Sequence, residues 1–229
     1  MKTIRILAFV LFCFFCSACT PTYAINTGLD LESIPTEKKT DYITSLSLQR
    51  IDAPIKDTVF CCFDICSIAG KYALGFDLDG SDIVQVFNSS GEYLYGFSFT
   101  NNGTFGIEWD EDNVIIYPAR NDLAFSINEE ADCVDARYVK NTIDNHQYIR
   151  GKINAKQKEL NGIIYRAKPG LGGYTQLVSY TQDGAEQVLY GRSTIIDGRV
   201  IGFLFLWALL FVMAIVFVVY KAATIKSNN

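Results

Sequence analysis

From Val59 to Val139 the chain alternates short runs of β-branched and aromatic residues with the polar segments DLDGSD, NSSGE, TNNGT, DEDN, PARND and NEEAD. Each segment supplies the Gly, Asn or Asp that a tight reversal needs, and each is too short to hold a helix. Parallel neighbours need a crossover of roughly a dozen residues or more, so these links leave only antiparallel pairing. The runs predict strands over Val59–Ile68, Tyr72–Leu78, Ile83–Phe87, Tyr93–Phe99, Phe105–Trp109, Val114–Tyr117, Leu123–Ile127 and Cys133–Val139. Asn141–Leu160 is poor in apolar side chains and reads as a loop or one short helix. The β pattern then resumes over Gly162–Ala167, Thr175–Thr181 and Glu186–Tyr190, followed by a juxtamembrane strand or stalk. Residues 25–57 are polar and irregular, a linker with one short strand near Ser45–Ile51. The expected class is all-β, an antiparallel meander.

Three stretches share one scheme. VQVFNSSGEYLYGF (Val84–Phe97) and QLVSYTQDGAEQVLYG (Gln176–Gly191) both run apolar strand, polar turn with Gly, apolar strand, then Leu-Tyr-Gly; AFSINEEADCVDARYV (Ala124–Val139) repeats the scheme without Gly. Any two β-hairpins share features of this kind, so the echo alone does not establish a repeat. The first copy, within residues 82–99, resembles the inner strands of an NHL-type β-propeller blade: an apolar strand ending in Val86-Phe87, a turn with Asn88 and Gly91, then an aromatic-Leu strand. The resemblance covers about one blade and implies sheets of ~40 residues each about a common axis. The β-rich residues 58–198 have room for three or at most four such repeats, so a closed ring is not expected. A partial propeller, a curved meander or a sandwich of two small sheets fits the length. An open form leaves edge strands to be covered by the linker, the 141–160 segment or another copy.

The two ends predict where this β region sits. Ile201–Tyr220 is an uncharged apolar run of twenty residues closed by Lys221, and at ~1.5 Å per residue it matches a ~30 Å hydrocarbon core. Residues 1–24 carry Lys2 and Arg5, an apolar stretch from Ile6 to Cys16 and a small-residue exit, the build of a secretory signal cleaved after Ala24. Two other fates stay open: lipidation at Cys19, although Cys16 stands where such signals usually carry Leu, and retention as a second span. The tail 221–229 carries Lys221 and Lys226 and no acid, which places it in the cytoplasm by the positive-inside rule and residues 25–198 outside.

Residues 25–198 hold 15 of the 20 Lys and Arg and all 25 Asp and Glu, a formal charge of −10. Nucleic acid and anionic lipid surfaces need clustered positive charge, so both are disfavoured as partners. Four of the seven cysteines, Cys61, Cys62, Cys66 and Cys133, fall in this region. Cys61 and Cys62 are neighbours and are not expected to pair with each other. Cys133 bridged to one of the others and four reduced, buried thiols are the two alternatives.

The clearest polar constellation is Asp77, Asp79 and Asp82 in DLDGSD. Alternating carboxylates can collect oxygens round Ca²⁺, but the helix-loop-helix site ends in a Glu where this chain has Asn88, and a hairpin turn explains the same residues. Asp110, Glu111 and Asp112 read as a turn. The only histidine is His146, two positions after Asp144, and no nucleophile, metalloprotease or phosphate-loop motif accompanies it. Gly170-Leu171-Gly172-Gly173 links two strands and does not lead into a helix. Tyr93, Tyr95, Phe97 and Phe99 are expected on one face of one strand, as half of a core or as a platform for sugar rings. Asn88 and Asn102 stand in glycan-acceptor sequences on turns.

The expectation is thus a single-pass membrane protein: signal 1–24, linker 25–57, extracytoplasmic β domain 58–198, transmembrane helix 201–220 and cytoplasmic tail 221–229. Its partners are membrane lipid along 201–220 and a protein or carbohydrate ligand of the β domain; no catalytic, cofactor or metal residue is assigned. Binding or interaction at the cell envelope is the expected role rather than enzymatic turnover. A structural subunit of an envelope complex is the first alternative, and an extracytoplasmic hydrolase resting on Asp77, Asp79 and Asp82 the weaker one.

Overall fold

The computed structural model describes residues 25–68, 70–78, 80–191 and 206–213. The expected signal, Asp79, most of the expected span and the tail lie outside them. Contacts divide the chain at Arg192 into two units.

The first unit is all-β, with three antiparallel sheets. Each is built on a meander of four consecutive strands. The first meander runs β3 (Cys62–Ile65), β4 (Tyr72–Leu78), β5 (Ser81–Phe87) and β6 (Tyr93–Phe99). The second runs β7 (Phe105–Asp110), β8 (Asn113–Pro118), β9 (Leu123–Ile127) and β10 (Cys133–Val139). The third runs β11 (Gln157–Leu160), β12 (Ile163–Gly170), β13 (Gly173–Tyr180) and β14 (Glu186–Gly191). Phe60 forms an isolated bridge with Tyr174 that ties the entry to the first meander onto the third.

The sequence echo falls on the same hairpin each time, the third and fourth strands of a meander. Its turns share one hydrogen-bond pattern: Asn88 N–H to Glu92 O and Gly91 N–H to Asn88 O; Asn128 N–H to Asp132 O and Ala131 N–H to Asn128 O; Thr181 N–H to Ala185 O and Gly184 N–H to Thr181 O. Gly91, Ala131 and Gly184 all have positive φ, at 86°, 68° and 83°. Ala131 takes the left-handed conformation that glycine takes in the other two, at a local cost of roughly 1–2 kcal/mol. A register shift follows in each of the three hairpins.

One such shift corrects an expectation. Val86 pairs with Tyr95 but Phe87 pairs with Tyr93, so Leu94 is an extra residue on its strand. A bulge of one residue turns the preceding side chain to the other face. Tyr95, Phe97 and Phe99 therefore pack between the first and second sheets, whereas Tyr93 joins the cluster between the first and third, its ring against Phe87. The four aromatics do not form one row.

The first sheet is covered on both faces. Ala73, Val84, Val86 and Phe97 meet Ile107, Ile116, Leu123 and Phe125 of the second sheet; Phe63, Tyr72, Leu74 and Phe76 meet Ala167 and Leu177 of the third. That is why Tyr72–Phe76 and Asp82–Phe87 are buried at every position instead of alternating.

The expected linker is structured. β1 (Leu31–Ser33) pairs with β10, and β2 (Gln49–Ile51) pairs with β6, so two meanders gain a fifth strand. Between them lies α1 (Thr36–Ser45), whose Lys39 forms an ion pair of 2.5 Å with Asp135 on β10. Asp135 also accepts from Arg137 Nε at 2.8 Å, and its side chain is 3% exposed. Burial acts to raise its pKa, but Lys39 and Arg137 outweigh that and hold it below the usual carboxylate value. The 141–160 segment is likewise richer than one helix: α2 (Ile143–Tyr148), a π-turn (Ile149–Ile153), then β11.

In the second unit, residues 206–213 are helical. Leu206, Trp207, Leu209, Leu210, Phe211, Val212 and Met213 are each more than half exposed. Among the described residues, no helix is long and apolar enough to cross a membrane.

Candidate functional site

The first strands of the three meanders converge: β3 packs against β7, and β11 against β3. As the outer strand of its sheet, β7 has backbone donors that no neighbouring strand can satisfy. Asp64, on β3, supplies the acceptor. Its Oδ2 takes the Trp109 backbone N–H at 2.9 Å, and its main-chain oxygen takes the Trp109 indole N–H at 3.3 Å. Its Oδ1 pairs with Lys158 Nζ of β11 at 2.8 Å, with side-chain exposures of 13% and 16%. Lys158 also sits 5.5 Å from the centre of the Phe63 ring. One carboxylate thus joins all three meanders.

Around this knot opens a cleft of about 420 Å³, walled by β3, β7, the π-turn and β11. Glu108 stands in its wall, one oxygen accepting from Tyr117 at 3.0 Å and the other from the Tyr148 hydroxyl. Burial pushes the Glu108 pKa up, the two tyrosines oppose that, Asp64 adds to the rise and Lys158 reduces it. Lys152, Gln157 and Glu159 line the cleft and are exposed. The inner groups satisfy one another, so hydrogen-bonding capacity toward a visitor lies at the rim: the Lys152 ammonium, the Glu159 carboxylate, the Ser67 hydroxyl and the amide nitrogen of Gln157, whose oxygen already accepts from Arg166.

A second cavity of about 400 Å³ is mainly apolar and is lined by Cys61, Cys62, Phe105, Tyr117, His146 and Tyr174 among others. It brings His146 and two cysteines to common walls, but the His146 ring hydrogen-bonds Asn141 Oδ1 at 2.7 Å and neither thiol. Asp144 is exposed in the first turn of α2. Cys61 Sγ lies 3.8 Å from Cys62 Sγ, and burial, followed by Cys61, pushes the Cys62 pKa well up, which disfavours the reactive thiolate. All four described cysteines are free; the Cys133 thiol faces Asp135 O and the Cys66 thiol Glu111 O, which leaves no bridge to Cys133.

The other sequence candidates fall on turns or on the strand ends beside them. Glu111 and Asp112 join β7 to β8, and Asp112 pairs with Lys71 at 3.4 Å. Gly170 and Gly173 are cross-strand partners flanking a two-residue reversal. The Asn88 side chain is engaged in its own turn with Ser90 and Glu92. Asp77 and Asp82 are partners across β4 and β5, and Asp79 lies outside the described residues. Among the described residues, no group of three or more His, Cys, Asp and Glu side chains is placed to hold a metal. Asp64, Glu108 and Lys158 carried no sequence motif. Their one signal is a lone carboxylate interrupting an apolar strand, in Phe63-Asp64-Ile65 and Ile107-Glu108-Trp109, which predicts a buried partner.

No family model, curated protein or solved structure matches this chain.

Proposed function

We propose that the chain is a membrane-anchored binding module of the cell envelope, its β domain outside and its C-terminus in the cytoplasm. Residues 201–220 are the anchor in this reading. What supports it is the described helical part, 206–213, where every side chain is apolar or small and exposed. A helix apolar on all sides belongs in a protein core or in lipid. The three meanders, with first strands gathered together and a repeated outer hairpin, suit a partial propeller better than a sandwich of two sheets. The NHL-like stretch within residues 82–99 belongs to the first of them.

The cleft at Asp64 carries the binding reading. It lies where the repeats meet, and its mutually satisfied acids suit recognition of a polar protein or carbohydrate surface better than turnover. To test this, full-length protein is cross-linked in its native membrane, and wild type is compared with Lys152→Glu and Glu159→Lys. Binding through the cleft predicts that a retained partner is lost from both variants while folding is unchanged. Retention of the same partners by all three proteins removes the cleft from the reading. Protease added to intact cells should digest the β domain and spare a C-terminal tag; the opposite pattern removes the orientation.

A specific observation favours a structural subunit as the second reading. β14 ends the third sheet without the added strand that β1 and β2 give the other two among the described residues, and Val188 on it is 53% exposed. Such an edge can pair with a neighbouring protein.

A further inference from the structure

Lys39, Lys71, Lys140, Lys158 and Lys168 each pair with a carboxylate. Only in the pair of Lys158 with Asp64 are both side chains less than one-fifth exposed. Taking two charges out of water is costly, and their mutual attraction repays the cost only in part. An amide made from the same two groups carries no charge and removes that cost. The geometry also favours its formation. Lys158 Nζ stands 2.8 Å from Asp64 Oδ1, against the Phe63 ring. Asp64 Oδ2 accepts the Trp109 backbone N–H at 2.9 Å. A fixed N–H aimed at a carboxyl oxygen stabilises the negative charge that develops there during acyl transfer. Holding two reacting groups in place is worth an effective concentration of up to about 10⁵–10⁸ M, which helps a condensation that water opposes between free groups.

We infer that Lys158 and Asp64 condense into an amide between their side chains, a covalent modification that locks β11 to β3. The ammonium passes one proton to Oδ1 along the existing hydrogen bond. The free amine then attacks Cγ, the C–N bond forms, and charge develops on Oδ2 against the Trp109 N–H. The surplus proton on nitrogen moves to Oδ1, the Cγ–Oδ1 bond breaks, and water leaves into the adjoining cleft. Both hydrogens of that water come from the ammonium, and the pair is neutral before and after, so no co-reactant is needed. The bond closes 94 residues of chain and makes the first and third meanders one covalent unit. It does not depend on the cleft binding a partner. Lys39 and Asp135 are an internal control: they too are in contact, but Lys39 is 32% exposed and Arg137 shares the carboxylate. Chain that has not condensed keeps the ion pair. Condensation adds to what Asp64→Ala or Lys158→Met removes, and the double variant loses it only once.

The test is peptide mapping by mass spectrometry of full-length protein, purified in detergent, denatured and digested with trypsin. Acylated Lys158 resists trypsin, so residues 57–71 should be found joined to residues 157–166, lighter by one water than the two peptides together. Lys158→Arg keeps the positive charge but has no amine to condense, and should release residues 57–71 alone. Recovery of residues 57–71 and 159–166 as separate peptides from wild type folded at neutral pH overturns the proposal, whatever the variant does. So does a joined peptide that persists in Lys158→Arg. An equal yield of peptides joined through Lys39 and Asp135 also overturns it, since contact alone would then suffice.

Discussion

Asp64→Ala removes the acceptor on which β3, β7 and β11 meet. It strands the Lys158 ammonium, whose side chain is only 16% exposed. Removing one partner of a buried pair costs about 3–5 kcal/mol, and the residual solvent contact here argues for the lower end. The Trp109 amide also loses its acceptor, an added cost of about 1–3 kcal/mol that water entering the emptied space partly offsets. The expected total is about 4 kcal/mol, a large share of the ~5–15 kcal/mol that holds a domain together. About 1 kcal/mol moves Tm by ~2–4 °C in a domain of this size, so Tm should fall by ~8–16 °C. Urea melts followed by tryptophan fluorescence give the energy, and hydrogen exchange at the Trp109 amide reports whether the loss is local to the knot. Lys158→Met closes a double-mutant cycle. Because it removes the stranded charge, the double variant should be more stable than the summed single effects by about 1–3 kcal/mol. A loss below about 1 kcal/mol for Asp64→Ala, or a strictly additive cycle, refutes the assignment of Asp64 as the junction of the three meanders.

Asp82 and Asp135 predict pH effects of opposite sign. Burial raises the Asp82 pKa from its ordinary 3.8 to about 6. Its protonated form therefore stabilises fully below the unfolded value, and that contribution is lost as pH rises through about 6. Asp82→Asn should gain up to about 3 kcal/mol on wild type between pH 4 and 7 in urea melts; parallel curves would remove the effect. The Asp135 pKa is lowered, so its contribution is present above the unfolded pKa and lost as pH falls. Asp135→Ala should cost about 2–3 kcal/mol at pH 7, discounted for the partial exposure of Lys39 and Arg137, and much less in acid. Gly75→Ala would set a Cβ 2.4 Å from Cys62 Sγ and 2.8 Å from Phe105; the overpacking should cost about 1–3 kcal/mol in thermal melts.

Strand positions within the meanders were largely legible because β-branched and aromatic runs end at residues that can only turn. Tyr72–Leu78, Tyr93–Phe99, Leu123–Ile127 and Cys133–Val139 match their expected bounds. Val59–Ile68 shrinks to Cys62–Ile65, its entry being drawn into the Phe60–Tyr174 bridge. β1 and β11 were not legible. Leu-Glu-Ser and Gln-Lys-Glu-Leu are too polar and short to announce strands, and they exist because an adjacent sheet edge offers unpaired backbone groups. α1 was missed for a related reason: it buries no residue of its own and is held by Lys39 on Asp135. The candidate site was the least legible part. Asp64, Glu108 and Lys158 lie far apart in sequence and meet only because the meanders fold onto one another.

By itself, the sequence determined local matters: where the chain extends, where it reverses, that neighbours pair antiparallel, and where its charge and longest apolar run lie. Alternation, turn chemistry and hydropathy act over a few residues, so a few residues encode them. Tertiary structure alone decided that the first sheet is covered on both faces, that the N-terminal segment supplies two edge strands, and that Leu94 bulges and sends Tyr93 to another core. It also decided that one aspartate closes the junction of three meanders. Those outcomes depend on which surfaces meet and which backbone groups remain unsatisfied, and both are properties of the packed whole.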